Sequence, residues 1–318
     1  MILRLGDALK LVAIFRSKGL LTAALQAVIK DALLAARTGV GQAANEGKGG
    51  EGEKEEEEEV IKVCGRYDLD ALSEPQNLDT LLALHEELEA IAQTRIKELV
   101  EPLFNEASLT RGHQGASQGA VELSKILPRQ EQNKEYDSRC FIYGEIEFDS
   151  FTQILAVATN SFVGKKGKFV DLGSGMAKAV LWTSLVSNFD RLVGIEINPL
   201  LFDLSRGIVD SFEAVVNARV FLTPAARAGK PAIDLHLGSF LDLHVHDWTD
   251  ANLAFANSAA FTDGLMERLS KCARLMKTGS RFITLTTKLP DDAHWKVIYK
   301  DRHYMSWGAA TVWVQQRL

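Results

Sequence analysis

From Lys168 onward, short apolar runs alternate with longer amphipathic stretches, a pattern that predicts strands and helices in turn. The predicted strands cover Lys168–Leu172, Arg191–Ile195, Ile233–Leu237, Asn252–Ala256 and Arg281–Thr286, with helices over Ala177–Ser187, Leu200–Val216 and Asp263–Met276. Two further strand candidates, Val297–Tyr299 and Ala310–Val314, follow without a good helix between them and predict a closing hairpin. This order implies an α/β fold, a parallel sheet covered on both faces with an antiparallel pair at one edge. Upstream, Leu78, Leu81, Leu84, Leu88, Ile91 and Leu99 fall at spacings of three and four and predict a helix over 77–104, with Pro102 at its end. Residues 105–120 (NEASLTRGHQGASQGA) read as a polar loop, and 121–135 as a helical stretch broken by Pro128.

The first forty residues are rich in Ala and Leu, with six Lys/Arg against two Asp, and predict a basic amphipathic helix or an organellar presequence. Residues 41–62 carry eight Glu against three Lys, and the run NEGKGGEGEKEEEEE within them reads as a solvated, disordered linker. Four regions are therefore expected: an N-terminal segment (1–44), an acidic linker (45–60), a helical lobe (61–136) and a catalytic domain (137–318). The overall net charge of −6 disfavours a protein built only to grip nucleic acid, so such contact is expected indirectly or through residues 1–40. Cys64, Cys140 and Cys272 are scattered and odd in number, against a disulfide framework. No apolar run approaches the ~18 residues of a membrane span, so no membrane partner is expected, and a monomer is.

The chemistry concentrates in KFVDLGSGMAKAVL, Lys168–Leu181. A strand leads into Asp171, then Gly173 and Gly175, then a helix whose free N–H groups face the turn. The next predicted strand runs into VGIEINP and places Glu196 near its end, positioned for a ribose diol. A dinucleotide fingerprint would carry a third glycine, which this loop lacks. Asp171 suits the ammonium of an amino-acid ligand, so the loop favours S-adenosyl-L-methionine over a dinucleotide, with a ligand-free glycine turn as the remaining reading.

Just upstream stands CFIYGEIEFDSFTQIL, Cys140–Leu155. Together with FVDLGSG, GSFLD (Gly238–Asp242), FANSAAF (Phe255–Phe261) and MSWGAATVWV, it resembles the disruptor-of-telomeric-silencing (Dot) family of non-SET histone H3 lysine methyltransferases. The resemblance spans about 120–318 in the family's order. It implies a class I S-adenosylmethionine-dependent methyltransferase, Rossmann-like with a seven-stranded sheet and a helical N-terminal lobe. It further implies that Asp171, Gly173, Gly175, Lys178 and Glu196 hold the cofactor's amino-acid and ribose parts, that Ser239 and Phe240 sit at the adenine, and that Tyr143 and Glu145 cap it. Asn257, Tyr143, Phe261 and Trp307 would surround the transfer point, Phe261 and Trp307 lining an apolar lysine channel. A dry aromatic channel beside a sulfonium lowers the amine's pKa from ~10.4, so no general base is nominated.

The chain departs from the family pattern at several positions. Ala177 stands for the third glycine, Lys178 for a glutamine that touches the cofactor, and Ser239 for an aspartate. Ser258 and Ala259 replace an asparagine and an aromatic, and Val312–Trp313 replace two tyrosines. These changes gather around adenine and channel, so the resemblance bears on the cofactor more firmly than on the acceptor. His244 and His246 read as lying on one face of a strand, with only Asp242 and Asp247 nearby at ligand spacing, so no metal is expected; Cys140, Trp182, Trp248 and Trp295 read as packing residues. The expected function is lysine methylation of histone H3 in nucleosomes, in the nucleus. The alternatives are methylation of a non-histone, organellar protein and a degenerate cofactor- or chromatin-binding scaffold.

Overall fold

The computed structural model describes residues 100–104, 106–126, 144–159, 167–187, 189–218 and 231–318, with five earlier positions, Ala83, Ala90, Thr94, Lys97 and Glu98, all helical. The N-terminal segment, the acidic linker, most of the predicted 77–104 helix, Cys140 and Tyr143 lie outside the described residues. Two compact units divide the chain, and the larger comprises Val100–Ala214 and Lys230–Leu318.

In that larger unit seven strands form one sheet. Five strands are parallel: β1 (Lys168–Leu172), β2 (Arg191–Glu196), β3 (Ala232–Leu237), β4 (Leu253–Ala256) and β5 (Arg281–Leu285). β6 (Trp295–Met305) and β7 (Gly308–Arg317) form the closing hairpin, β7 running antiparallel to β5. The order is β3-β2-β1-β4-β5-β7-β6, the seven-stranded sheet expected of a class I methyltransferase. β1, β4 and β5 are buried along their whole length, because helices cover both faces and leave no solvent side to alternate against. Both terminal strands run well beyond the short apolar cores that the sequence marks. β6 is the sheet edge and carries exposed Lys296, Lys300, Asp301 and Arg302, which interrupt its apolar pattern while guarding the edge.

The α-helices of this unit are α1 (Glu106–Ile126), α2 (Phe148–Thr159), α3 (Lys178–Val186), α4 (Pro199–Ala218, in this unit as far as Ala214) and α5 (Asp263–Ala273). Thr262 caps α5, its hydroxyl accepting from the Leu265 N–H. The three tryptophans assigned to packing are buried, Trp182 against Phe148 in an edge-to-face pair and Trp295 against Phe282 likewise. Arg281, at the start of β5, donates to the carbonyls of Val157 and Ala158 and so closes the C-terminal end of α2.

The largest correction concerns residues 105–120. Residues 106–120 form no polar loop but most of α1, a 21-residue helix. Among its described side chains the buried ones are Gly112, Gly115, Ala116 and Gly119, a stripe of small residues at helical spacing. The stripe brings the helix close to the start of α4, where Leu200, Leu201 and Leu204 supply the bulk. Neighbouring glycines on this stripe should respond oppositely to alanine. A methyl on Gly115 would meet those leucines at an ordinary 3.6 Å, whereas on Gly119 it would fall 2.0 Å from Asn198 Oδ1. Gly115→Ala is expected to stabilise the protein by about 1 kcal/mol through helix propensity. Gly119→Ala is expected to destabilise it by about 1–3 kcal/mol through overpacking. Urea denaturation of both variants checks the pair.

Candidate active site

In an open parallel sheet, ligands settle where neighbouring connections leave in opposite directions, here beyond the C-terminal ends of β1 and β4. The glycine loop follows β1 and Asn257 follows β4, so two motifs far apart in sequence meet at one crevice. Gly173 and Gly175 take φ of +83° and +53°, conformations that a side chain disfavours. The amides of Gly173 and Ser174 donate to the Ile195 carbonyl at 2.8 and 3.1 Å, folding the turn back onto β2. Ala177, at the position of the family's third glycine, also takes a left-handed conformation at φ +67° immediately before α3. A left-handed backbone at a residue with a side chain costs about 1–2 kcal/mol.

A cleft of about 910 Å³, open mouth included, lies over this turn. Nine of the expected site residues line it: Glu145, Asp171, Gly173, Gly175, Lys178, Glu196, Phe240, Asn257 and Phe261. Ser239 is not among the lining residues, and its hydroxyl accepts from the Leu241 N–H. Trp307 is not among them either; it is 44% exposed on the β6–β7 turn, where its ring lies against Gly144. Phe240 and Phe261 stack with ring centroids 5.8 Å apart and give the cleft one flat aromatic wall.

The two carboxylates differ in how they are satisfied. Glu196 is buried and accepts from two backbone amides at 2.8 Å, Gly175 onto Oε2 and Asn198 onto Oε1. Burial raises its pKa, and these amides pull it back down. Asp171 is just as buried, yet its Oδ1 has no hydrogen-bond partner among the described residues. Burial, and secondarily the nearby Glu196, hold its pKa well above the usual carboxylate range. An orphaned buried carboxylate in a cleft wall is a site for a cation. The donor set fits the ammonium, ribose and adenine of S-adenosylmethionine, with Asp171, Glu196 and the aromatic wall respectively.

The loop over the cleft is fixed from three sides. Asn257 Nδ2 donates to the Gly144 carbonyl at 2.9 Å. The Glu145 N–H donates to Ser306 Oγ and the Ser306 N–H to the Glu145 carbonyl, both at 3.0 Å, and Ile146 bridges to Met305. Lys178 Nζ reaches Glu145 Oε2 at 2.5 Å and lies over the rings of Phe104 and Trp182, at 5.2 and 4.9 Å from their centroids. The side chains of Lys178 and Glu145 are 17% and 7% exposed, so the lysine's charge is compensated by the carboxylate in a largely dry setting. Glu145→Gln is expected to cost about 3 kcal/mol in urea unfolding by leaving the lysine uncompensated, and adding Lys178→Met should restore most of it.

Some of these roles are not legible in the sequence. Asn257 serves the loop as well as facing the cleft, and Ser306 holds Glu145 rather than merely preceding Trp307. Asn198 also lines the cleft; its signal was present in Asn-Pro at the start of a helix, a cap followed by proline in the first turn. His244 and His246 lie in a turn after β3 rather than on a strand.

The sequence profile of the histone methylation protein DOT1 family matches residues 124–303, more than half of the chain. The chain belongs to the DOT1 family. The match runs from the end of α1 into β6 and stops short of Ser306–Trp307. No curated protein matches the sequence significantly. Among solved structures, the chain is similar to precorrin-6y C5,15-methyltransferase from Geobacter metallireducens, with 13% identity, 53% of this chain, 89% of that one and a TM-score of 0.39. It is also similar to magnesium protoporphyrin IX methyltransferase of Synechocystis PCC 6803, with 8% identity, 54% and 79% covered and a TM-score of 0.40. M. capricolum TrmK, solved with S-adenosylhomocysteine, shows 11% identity, 52% and 67% covered and a TM-score of 0.37. As a DOT1-family chain with a class I sheet and a matching cleft, this protein is an S-adenosylmethionine-dependent methyltransferase.

Proposed function

We propose that this DOT1-family chain is a protein-lysine N-methyltransferase acting on histone H3 in nucleosomes, and that it works in the nucleus. The family match carries the reading, and the arrangement of the cleft supports it. S-adenosylmethionine supplies a sulfonium methyl group for in-line transfer to a nucleophile. The protein's own task is then positioning. Asp171 binds the ammonium, Glu196 the ribose hydroxyls, and Phe240 with Phe261 the flat base and the approach beyond it. The 144–147 loop closes over the cleft and keeps water out, held by Asn257 and Ser306. A lysine entering beside this wall leaves water for an apolar surrounding near a positive sulfonium, both of which favour its neutral, nucleophilic form. Tyr143 belongs to the same loop by sequence and is assigned with Glu145 to the cap.

Transfer of labelled methyl to recombinant nucleosomes, free histones and whole lysate tests the reading. A labelled H3 band, lost in Asp171→Ala and Asn257→Ala, is the expected result. Label on a non-histone lysate protein alone would replace the substrate, and cofactor binding without any labelling would leave a scaffold.

A further inference from the structure

The turn between β2 and α4 holds a buried side chain that faces two elements at once. Asn198 is 1% exposed and lines the cleft. Its Oδ1 accepts from the N–H groups of Leu200 and Leu201 at 3.0 and 3.3 Å, capping α4. Its Nδ2 donates to the carbonyls of Gly115 and Ala116 on α1 at 3.1 and 3.4 Å. The small-residue face of α1 makes this reach possible, since a side chain at Gly119 would occupy the space of the amide. The backbone N–H of the same residue donates to Glu196 Oε1 at 2.8 Å, while the Gly175 N–H holds Oε2.

We propose that Asn198 is a positioning residue for the cofactor's ribose: anchored to α1 and α4, it fixes the turn whose amide orients the Glu196 carboxylate. The inference rests on the ribose role proposed for Glu196. Helix α1 thereby helps set the direction in which Glu196 presents its oxygens. A carboxylate turned away from the diol loses charge-assisted hydrogen bonds to the hydroxyls while the rest of the cofactor still binds.

Isothermal titration on the full chain, with S-adenosylhomocysteine and its 2′-deoxyribose analogue, tests this. Wild type should bind the ribose ligand more tightly, and Glu196→Gln should narrow the difference. Asn198→Ala is expected to weaken S-adenosylhomocysteine roughly tenfold, to narrow the same difference, and to add nothing in the Glu196→Gln background. Asn198→Ser keeps a capping oxygen but is too short for the α1 carbonyls, so it should fold and show the same narrowing. Equal weakening of both ligands by Asn198→Ala and Asn198→Ser, additive with Glu196→Gln, would reduce Asn198 to a structural residue and overturn the inference. Failure of wild type to bind either ligand would instead overturn the cofactor reading itself.

Discussion

Replacing Asp171 with asparagine is expected to weaken S-adenosylhomocysteine binding at least about 100-fold while raising the melting temperature of the ligand-free protein at neutral pH. The two effects have one cause. The carboxylate is 3% exposed and its Oδ1 has no partner among the described residues, so the ligand-free protein bears the cost of desolvating a charge without compensation. Burial first, and repulsion from Glu196 second, raise the folded pKa above that of the unfolded chain. The stability tied to the neutral acid is therefore fully present below about pH 3.9, the unfolded value, and is lost as pH rises through the folded pKa. Asparagine keeps the shape without the charge and escapes that loss. Its advantage over wild type should appear at neutral pH, amounting to about 2–4 °C per kcal/mol recovered, and vanish at the acid end. Binding moves the other way. Removing one member of a buried charge pair costs about 3–5 kcal/mol, so affinity should fall by at least about 100-fold. Wild-type affinity should also strengthen as pH rises through the Asp171 pKa, with proton release visible in buffers of different ionisation enthalpy. Binding by Asp171→Asn within threefold of wild type, or a variant melting no higher than wild type at pH 7, would remove the assigned role.

The sequence disclosed this site better than it disclosed the scaffold around it. Asp171 and Glu196 stand out because each lies at or next to the end of a buried strand, whose continuous apolar run is easy to read. α1 stays hidden because its described buried positions are glycine and alanine, with Leu200, Leu201 and Leu204 of α4 packed against Gly115. The full length of β6 is not legible because it is a sheet edge, and its exposed charges break the apolar pattern. Residues acting through others were the hardest to see. Asn198 and Ser306 look like an ordinary cap and an ordinary turn until the fold brings α1 and the 144–147 loop beside them.

Gly144 offers a way to test the acceptor side separately from the cofactor side. A methyl on it would stand 2.6 and 2.7 Å from two carbons of the Trp307 ring, so either the loop or the ring must move. The loop is tied by Asn257, by the reciprocal Glu145–Ser306 bonds and by the Ile146–Met305 bridge. Trp307, at 44% exposure, can turn toward solvent at the loss of one face of contact. The ring should yield. Gly144→Ala is therefore expected to reproduce Trp307→Ala, with S-adenosylhomocysteine affinity and melting temperature close to wild type. If the ring lines the lysine channel, methyl transfer should fall about 10–100-fold in both, since a displaced wall misplaces the incoming amine. The double variant should be no worse than either single one, because both remove the same contact. Asn257→Ala releases the loop itself and should lower cofactor affinity as well as turnover. Full activity in Trp307→Ala would take that residue out of the channel. A Gly144→Ala protein that loses cofactor affinity along with activity would show that the loop yields before the ring, placing the weak point of the cap at Gly144 rather than at the hairpin.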